Sequence, residues 1–522
     1  MKAQRTIQIS LFFLFFSLSL QSQTIAPKRE FRAVWVATVK NIDYPSRMGM
    51  SSTYQKAEWT SILDQHQRMG LNAVIVQIRP SGDSFYPSKL VPWSEYLTGQ
   101  QGRGPNPNYD PLQFMIEETH KRNMEFHAWM NPYRLSMDLD KSKLAFNHVL
   151  NQHPDWCVEY GGRYYLNPAL PQVRQHLGEV VGEVVKNYDV DAIHFDDYFY
   201  PYKEDGVEFP DASEFARFGT KFSNIADWRR NNVDLLIAQL SKQIKALKPY
   251  VKFGISPFGV WRNKSNDPAG SDTRAGYTSY DDLYADILGW LDKGWIDYVA
   301  PQLYWSIGYA PADYEKLLDW WRFRTHGKHL YIGHGVYKVN DNMDKNWLEA
   351  DEIPKQIRMS RKSVMSKGSI HFSSSQLLKN PLGVADSLGQ RYYNYPTLIP
   401  EMIYLNIRQP KTPDLKKIKG SGKNSVALSW KYKVKKKEPL PYYFVVYRVD
   451  GKRKPDLKNG KDILALTPFG KTHKKMLFED LTTYNNRTYT YTVTAVNRQH
   501  SESVSSKVMS VQLKNGKAKK LK

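Results

Sequence analysis

The chain has 522 residues, too many for one ordinary domain, and its 41% hydrophobic and 13% aromatic content excludes a disordered polypeptide. Its net charge of +22 is gathered at one end: residues 411–522 hold 27 Lys and Arg against 8 Asp and Glu, leaving 47 against 44 for the rest. The basicity therefore does not bear on the ligand of the larger N-terminal part, for which no nucleic acid is expected, and the single cysteine, Cys157, excludes an intramolecular disulfide.

The opening MKAQRTIQISLFFLFFSLSLQSQT places Lys2 and Arg5 before an apolar run from Leu11 to Leu20, followed by small and polar residues. That layout predicts a signal peptide over 1–23 and export to the periplasm or the medium. The run is shorter than the roughly 20 apolar residues that span a bilayer. No cysteine follows it to carry a lipid, and no later stretch reads as a membrane span.

Between 29 and 400, short β-rich runs alternate with longer amphipathic ones. Strands are predicted at 31–38, 72–80, 124–134, 190–197, 251–258, 296–305, 330–337 and 368–374. Helices are predicted at 58–70, 111–123, 173–188, 227–247, 280–294, 313–327 and 351–365. This count predicts an α/β fold, a (β/α)8 TIM barrel. A doubly wound sheet is the alternative, but the glycine-rich phosphate loop expected after its first strand is missing. From 411 to 513, short alternating strands separated by turns predict a small all-β sandwich, and the basic end, 514–522, is expected to be disordered.

Successive side chains of a strand face opposite sides. With Val74, Val76 and Ile78 against the helices, Gln77 and Arg79 turn toward the barrel axis. The same alternation turns His127, Trp129 and Asn131 inward on the third strand, Ala192, His194 and Asp196 on the fourth, and Gln302 and Tyr304 on the sixth. Barrel enzymes build their sites at the C-terminal strand ends. There, VDAIHFDDYFYP (190–201) sets Asp196 and Asp197 among His194, Tyr198 and Tyr200. Asp197 reaches the same cavity if the chain turns at the strand end.

Two carboxyls held together resist ionising together, which raises a pKa and suits acid catalysis. Glycoside hydrolysis needs such an acid and a second carboxylate as nucleophile or base. Asp83, Glu204, Asp205 and Asp272 are candidates for the second, none with a motif behind it, and an acetamido group of the substrate could take its place. Trp129, Tyr133, Tyr198, Tyr200, Phe258, Trp261, Tyr304 and Trp305 fall at or after strand ends and suit the flat C–H faces of sugars. Arg79, Asn131 and Gln302 are donors for hydroxyls. His127, His194, His334 and Asp196 could converge on a metal, but there is no paired-histidine motif on the first strand and no helical His-Glu-x-x-His, so neither metal nor other cofactor is expected. No Gly-x-Ser-x-Gly elbow or Walker loop occurs.

REFRAVWVATVKNIDYPS (29–46), NAVIVQIRPSGDSFYPS (72–88), FHAWMNPYR (126–134), YLNPALPQVR (165–174), VDAIHFDDYFYP (190–201) and DYVAPQLYW (297–305) resemble, in order, the glycosyl hydrolase-like 10 family. The resemblance runs from about residue 29 to 400 and implies a (β/α)8 barrel and a glycosidase, with bacterial cell-wall glycan as a substrate class. Ala169 and Ala192 stand where the family leads one to expect glycine, and neither change removes a functional group. A more distant likeness is to the family 18 chitinases, whose fourth strand ends in Asp-x-Asp-x-Glu. Asp196 matches the middle position, but Tyr198 stands at the place of the catalytic glutamate, so that mechanism does not carry over. Trp430 and YTYTVTAVN (489–497) resemble a fibronectin type III domain.

The expectation is an exported glycoside hydrolase acting on a poly- or oligosaccharide, peptidoglycan-derived or otherwise rich in amino sugars. Asp196 and Asp197 are expected to carry acid/base work. Arg79, His127, Asn131, Tyr133, His194, Gln302, Tyr304 and Trp305 are expected to bind the sugar. The basic module is read either as a hold on an anionic polymer of the cell envelope or as a solvated spacer. The alternative is a non-catalytic glycan-binding protein using the same cleft.

Overall fold

In the computed structural model, which describes residues 26–405, 408–434, 438–469 and 475–521, eight parallel strands close into a barrel. They are β1 (Phe31–Val36), β2 (Ala73–Arg79), β3 (Glu125–Met130), β4 (Ala192–Phe195), β5 (Lys252–Ile255), β6 (Tyr298–Val299), β7 (His329–Gly335) and β8 (Ser366–Phe372). After them come α1 (Ser52–Arg68), α2 (Pro111–Lys121), α3 (Pro171–Asn187), α4 (Ile225–Leu247), α5 (Ile287–Asp292), α6 (Tyr314–Arg322), α7 (Glu352–Lys362) and α8 (Ser374–Leu378), so the (β/α)8 barrel is the fold found. Most elements end a few residues short of their sequence pattern, and two are cut back furthest, β6 and α5. Pro301 offers no N–H to the ladder beyond β6, where Gln302 makes only isolated bridges to Phe258 and Gly333. Helix α5 starts late because Tyr284 takes φ 53° and Asp286 caps the helix by accepting from Gly289 N.

The barrel interior is filled by Phe31, Ala33 and Trp35 of β1 with Ile75, Tyr298, Tyr331 and Ile370, while Val74, Val76, Phe126, Ile193 and Phe195 pack outward against the helices. Large rings need small neighbours in so narrow a space. At Gly254 an added Cβ would lie 1.9 Å from Tyr298 Cζ.

The C-terminal part is all β: β9 (Asp414–Gly422), β10 (Ser425–Lys431), β11 (Pro441–Asp450), β12 (Ile463–Pro468), β13 (Lys475–Asp480), β14 (Thr488–Asn497), β15 (Met509–Lys514) and β16 (Lys517–Leu521). Two antiparallel sheets, β9-β10-β13 and β12-β11-β14-β15-β16, enclose Leu428, Trp430, Phe444, Val446, Tyr491 and Val493. The basic end, expected to be disordered, is strand β16 instead. Asn515 and Gly516 take φ 48° and 71°, a two-residue hairpin turn, and Ala518 pairs with Leu513 and packs on the core. The predicted signal segment, 1–23, lies outside the described residues. Among the described residues no helix is long and apolar enough to cross a membrane.

The sandwich is seated on the N-terminal strand ends of the barrel. Leu398 shares a cluster with Tyr443, Val445, Tyr447, Ile463 and Val496, and Arg498 Nη1 lies 2.8 Å from Asp191 Oδ1.

Candidate active site

At the C-terminal end of the barrel a cleft of about 390 Å3 opens, within the roughly 300–1,000 Å3 of small-molecule sites. Among the described residues, the acidic side chains lining it are Asp196 and Asp197. Strand β4 ends at Phe195, and the turn that follows brings both adjacent carboxyls to one cavity, 5% and 4% exposed.

Their surroundings differ. Asp196 Oδ2 accepts from Trp129 Nε1 at 3.1 Å and Oδ1 from Tyr198 N at 3.4 Å, a long and weak bond. Asp197 Oδ1 accepts from Gln302 Nε2 at 3.0 Å, and Oδ2 accepts from the Tyr202 hydroxyl. Gln302 is itself fixed by donating to Ser256 O at 2.9 Å. Burial, and then the neighbouring Asp197 charge, push Asp196 up to about 7. Burial also raises Asp197, against the pull of the Tyr202 and Gln302 donors. Donors stabilise an ionised carboxylate, so the shared proton belongs on Asp196 and the charge on Asp197. Arg134 draws both carboxyls back down. Its guanidinium is anchored on Pro80 O by Nε and Nη2 at 3.2 and 3.0 Å and lies 5.6 Å from the Tyr198 ring centroid.

Aromatic walls complete the cleft: Trp35, Trp129, Tyr198, Phe258, Tyr304 and Trp305. Phe258 and Trp305 meet edge to face at 5.4 Å. Such rings offer apolar surface to a sugar while the polar groups at the centre fix its orientation.

Of the residues expected to bind substrate, Gln302, Tyr304 and Trp305 line the cleft with the two aspartates. Five others stand elsewhere. A β-bulge at Ile78 sets Arg79 opposite Met130, and Arg79 Nη1 donates to the carbonyls of Asn131 and Pro132 behind the cleft wall. Asn131 is fully buried and accepts from Arg134 N at 3.0 Å, and Tyr133 packs into the outer core. His127 and His194 do face inward, but one layer too deep. Trp129 lies between His127 and the opening, and His194 accepts the Trp35 indole N–H from above at 3.2 Å.

Among the rings, Tyr200 and Trp261 also belong to the outer core. None of the four further carboxylates lines the cleft. Asp83 is buried, accepting from Ser81 N, and burial raises it to about 6. Asp205 is exposed, and Asp272 is exposed and paired with Lys316. Glu204 lines a small side pocket with Arg134 and Arg163. The four potential metal ligands are dispersed. His334 bonds Gln356 and Ser369, His194 and His127 bond the Tyr298 hydroxyl, and among the described residues no three His, Cys, Asp or Glu side chains gather as a metal site.

Trp35, Arg134, Tyr202 and Lys338 line the cleft without having been singled out in the sequence. Strand alternation along β1 points to Trp35, and the end of β3 points to Arg134. Tyr202 stands on an irregular loop and Lys338 ends a single 3-10 turn, Val336–Lys338, both too short for a period to show.

The profile of the family described as glycosyl hydrolase-like 10 matches residues 30–349. Glycosyl hydrolase YngK of Bacillus subtilis (strain 168) is 50% identical over 483 residues, covering 92% of this chain and 93% of that protein. Glycosyl hydrolase DigH of Escherichia coli (strain K12) is 40% identical over 371 residues, covering 67% of this chain and 84% of that protein. Among solved structures, the PgaB (BpsB) glycoside hydrolase domain from Bordetella bronchiseptica aligns with a TM-score of 0.45 at 12% identity, covering 70% of this chain and 99% of that one. The chain belongs to the glycosyl hydrolase-like 10 family and is a glycoside hydrolase by class.

Proposed function

We propose that this glycoside hydrolase is exported and cuts an amino-sugar-containing polysaccharide, a peptidoglycan-derived glycan being the first candidate, with Asp196 as the acid and the 2-acetamido group of the substrate as the nucleophile. One observation carries the reading: the cleft's acidic side chains, among the described residues, are two sequence neighbours on one wall. Mechanisms built on two carboxylates need the second about 5–9.5 Å away on the other side of the sugar, whereas substrate-assisted glycosidases draw the nucleophile from the sugar itself. Asp196 gives its proton to the glycosidic oxygen as the C–O bond breaks. The acetamido oxygen closes on the anomeric carbon, and the Asp197 charge stabilises the cation so formed. Water then opens that ring, and its proton returns to Asp196. Gln302 and Tyr304 orient the sugar, with Trp305 as a platform.

Export rests on the apolar leader with its two basic residues. The sheet order β9-β10-β13 and β12-β11-β14-β15 supports reading the C-terminal unit as fibronectin type III-like. Exposed Lys417 and Lys419 on β9 and Lys517 and Lys519 on β16 support its attraction to an anionic envelope polymer, an attraction that salt weakens.

The test is mass spectrometry of products from purified peptidoglycan glycan strands, chitin oligomers and their deacetylated counterparts, with wild type beside Asp196→Asn and Asp197→Asn. Cleavage of acetylated chains alone, lost in either variant, is the expected result. Equal cleavage of deacetylated chains would remove the acetamido nucleophile from the mechanism. A folded wild type that cuts none of them, yet binds them, would be a glycan-binding protein.

A further inference from the structure

Beneath the cleft a single file of hydrogen bonds runs down the barrel axis. Trp35 Nε1 donates to His194 Nε2 at 3.2 Å. His194 Nδ1 is 2.8 Å and His127 Nδ1 2.9 Å from the same hydroxyl, that of Tyr298. His127 Nε2 is 3.0 Å from Glu125 Oε2. Glu125 Oε1 then meets His500 Nε2 at 2.6 Å, and Lys252 Nζ reaches both carboxylate oxygens at 2.6 and 2.7 Å. All seven side chains are at most 2% exposed.

Chemistry gives this file one direction. An indole can only donate, so His194 Nε2 is bare and its proton sits on Nδ1. That proton goes to the Tyr298 oxygen. The Tyr298 hydroxyl proton therefore goes to His127 Nδ1, and His127 Nε2–H goes to Glu125, which as a carboxylate only accepts. Every link has one donor and one acceptor, so reversing any one of them would set two donors or two acceptors face to face. The file starts at a ring of the cleft wall and ends on a residue of the C-terminal sandwich. His500 is held there by a turn after β14, at φ 61°, with its N–H on Asn497 O at 3.0 Å.

We infer that His500, through Glu125, His127, Tyr298 and His194, is a positioning residue for Trp35, and that the C-terminal sandwich thereby sets the geometry of the sugar site from the opposite end of the barrel. This rests on the glycosidase reading for its kinetic consequence but not for its physical one. Lys252 already neutralises Glu125. What His500 adds is a second fixed donor that stops the carboxylate from turning away from His127. Trp35 in turn abuts Tyr304 edge-on at 6.5 Å and Phe372 at 6.1 Å, so a tilt of its indole reshapes the wall against which the sugar is held.

The experiment uses the full chain with its tryptophans 15N-labelled at the indole, the Trp35 signal being assigned by Trp35→Phe. His500→Ala, His500→Gln and Tyr298→Phe are compared with wild type for the Trp35 indole resonance, for melting temperature, and for kcat and KM on an oligosaccharide substrate well below the melting range. Tyr298→Phe keeps the ring but cuts the file in the middle. The Trp35 signal is expected to move in it and in His500→Ala, with kcat/KM falling roughly tenfold to a hundredfold, as for misplacement by a remote change. His500→Gln, which keeps a side-chain N–H toward Glu125, is expected to restore both. An unmoved Trp35 signal, or wild-type kinetics, in folded Tyr298→Phe overturns the proposal. So does a defect in His500→Ala that His500→Gln does not repair. If no glycan is turned over by wild type, the glycosidase reading fails while the indole resonance still decides this one.

Discussion

The two aspartates differ less by sequence than by their hydrogen bonds, and that difference sets the pH behaviour. Asp196 titrates near 7 in the folded chain against an ordinary 3.8. Between those values the folded state holds a proton that the unfolded state has lost, so stability falls as pH rises from about 4 to 7. Asp196→Asn removes that loss. Its melting temperature is expected to match wild type below pH 4 and to exceed it above pH 7. Calorimetry across that range checks the sign. For the reaction, kcat/KM is expected to decline above pH 7 as the acid loses its proton, and Asp196→Asn to lower it by about 10²–10⁴. Tyr202→Phe removes a donor from Asp197 and is expected to move the acidic limb of the pH–rate profile upward. An unmoved limb would deny Tyr202 that role.

At the scale of elements, a bulge and a glycine do work that side-chain type alone would not reveal. The bulge at Ile78 swings Arg79 out of the cleft, so Arg79→Lys is expected to lower stability rather than raise KM. Arg79 is fully buried with Nε and Nη2 unbonded and burial already lowers its pKa to about 10. Gly254 leaves the gap that the Tyr298 ring fills. Gly254→Ala is expected to cost about 1–3 kcal/mol or more, as overpacking does, with a lower melting temperature as the readout. A neutral Gly254→Ala would mean that β5 can yield where the packing says it cannot. Element type was legible in the sequence because the barrel strands and helices bury opposite kinds of surface at different periods. Element length was not, since Pro301 and the turn at Tyr284 act through single backbone positions.

Over the whole molecule, the sandwich is part of the barrel's base rather than a module on a tether. Arg498 bridges Asp189 and Asp191 and lies 4.1 Å from the Tyr442 ring centroid, while Glu502 pairs with Lys28 at 2.5 Å. Arg498→Met leaves two carboxylates facing it without their cation and is expected to cost up to about 3 kcal/mol, the low end for breaking a buried pair. Denaturant unfolding monitored at Trp430, in the sandwich, and at the barrel tryptophans should then give coincident transitions at lower midpoint. Separate transitions would mean that the two parts fold independently.

What the sequence determined by itself is what repeats along the chain. Alternation and amphipathic period suffice for the barrel, for the inward faces of Gln77, His127, Trp129, Ala192 and His194, and for the strand end that carries Asp196 and Asp197. Tertiary structure alone decided depth. Two residues along a strand is one layer along the barrel axis, and the same inward parity that places Trp129 in the cleft places His127 beneath it, where Phe31 of β1, Tyr298 of β6 and Glu125, itself held by the distant His500, complete its surroundings. A periodic pattern reports which face a residue is on. How far down that face it lies depends on how the strands are staggered and on which rings of other strands lie above it, and those contacts exist only once the barrel has closed.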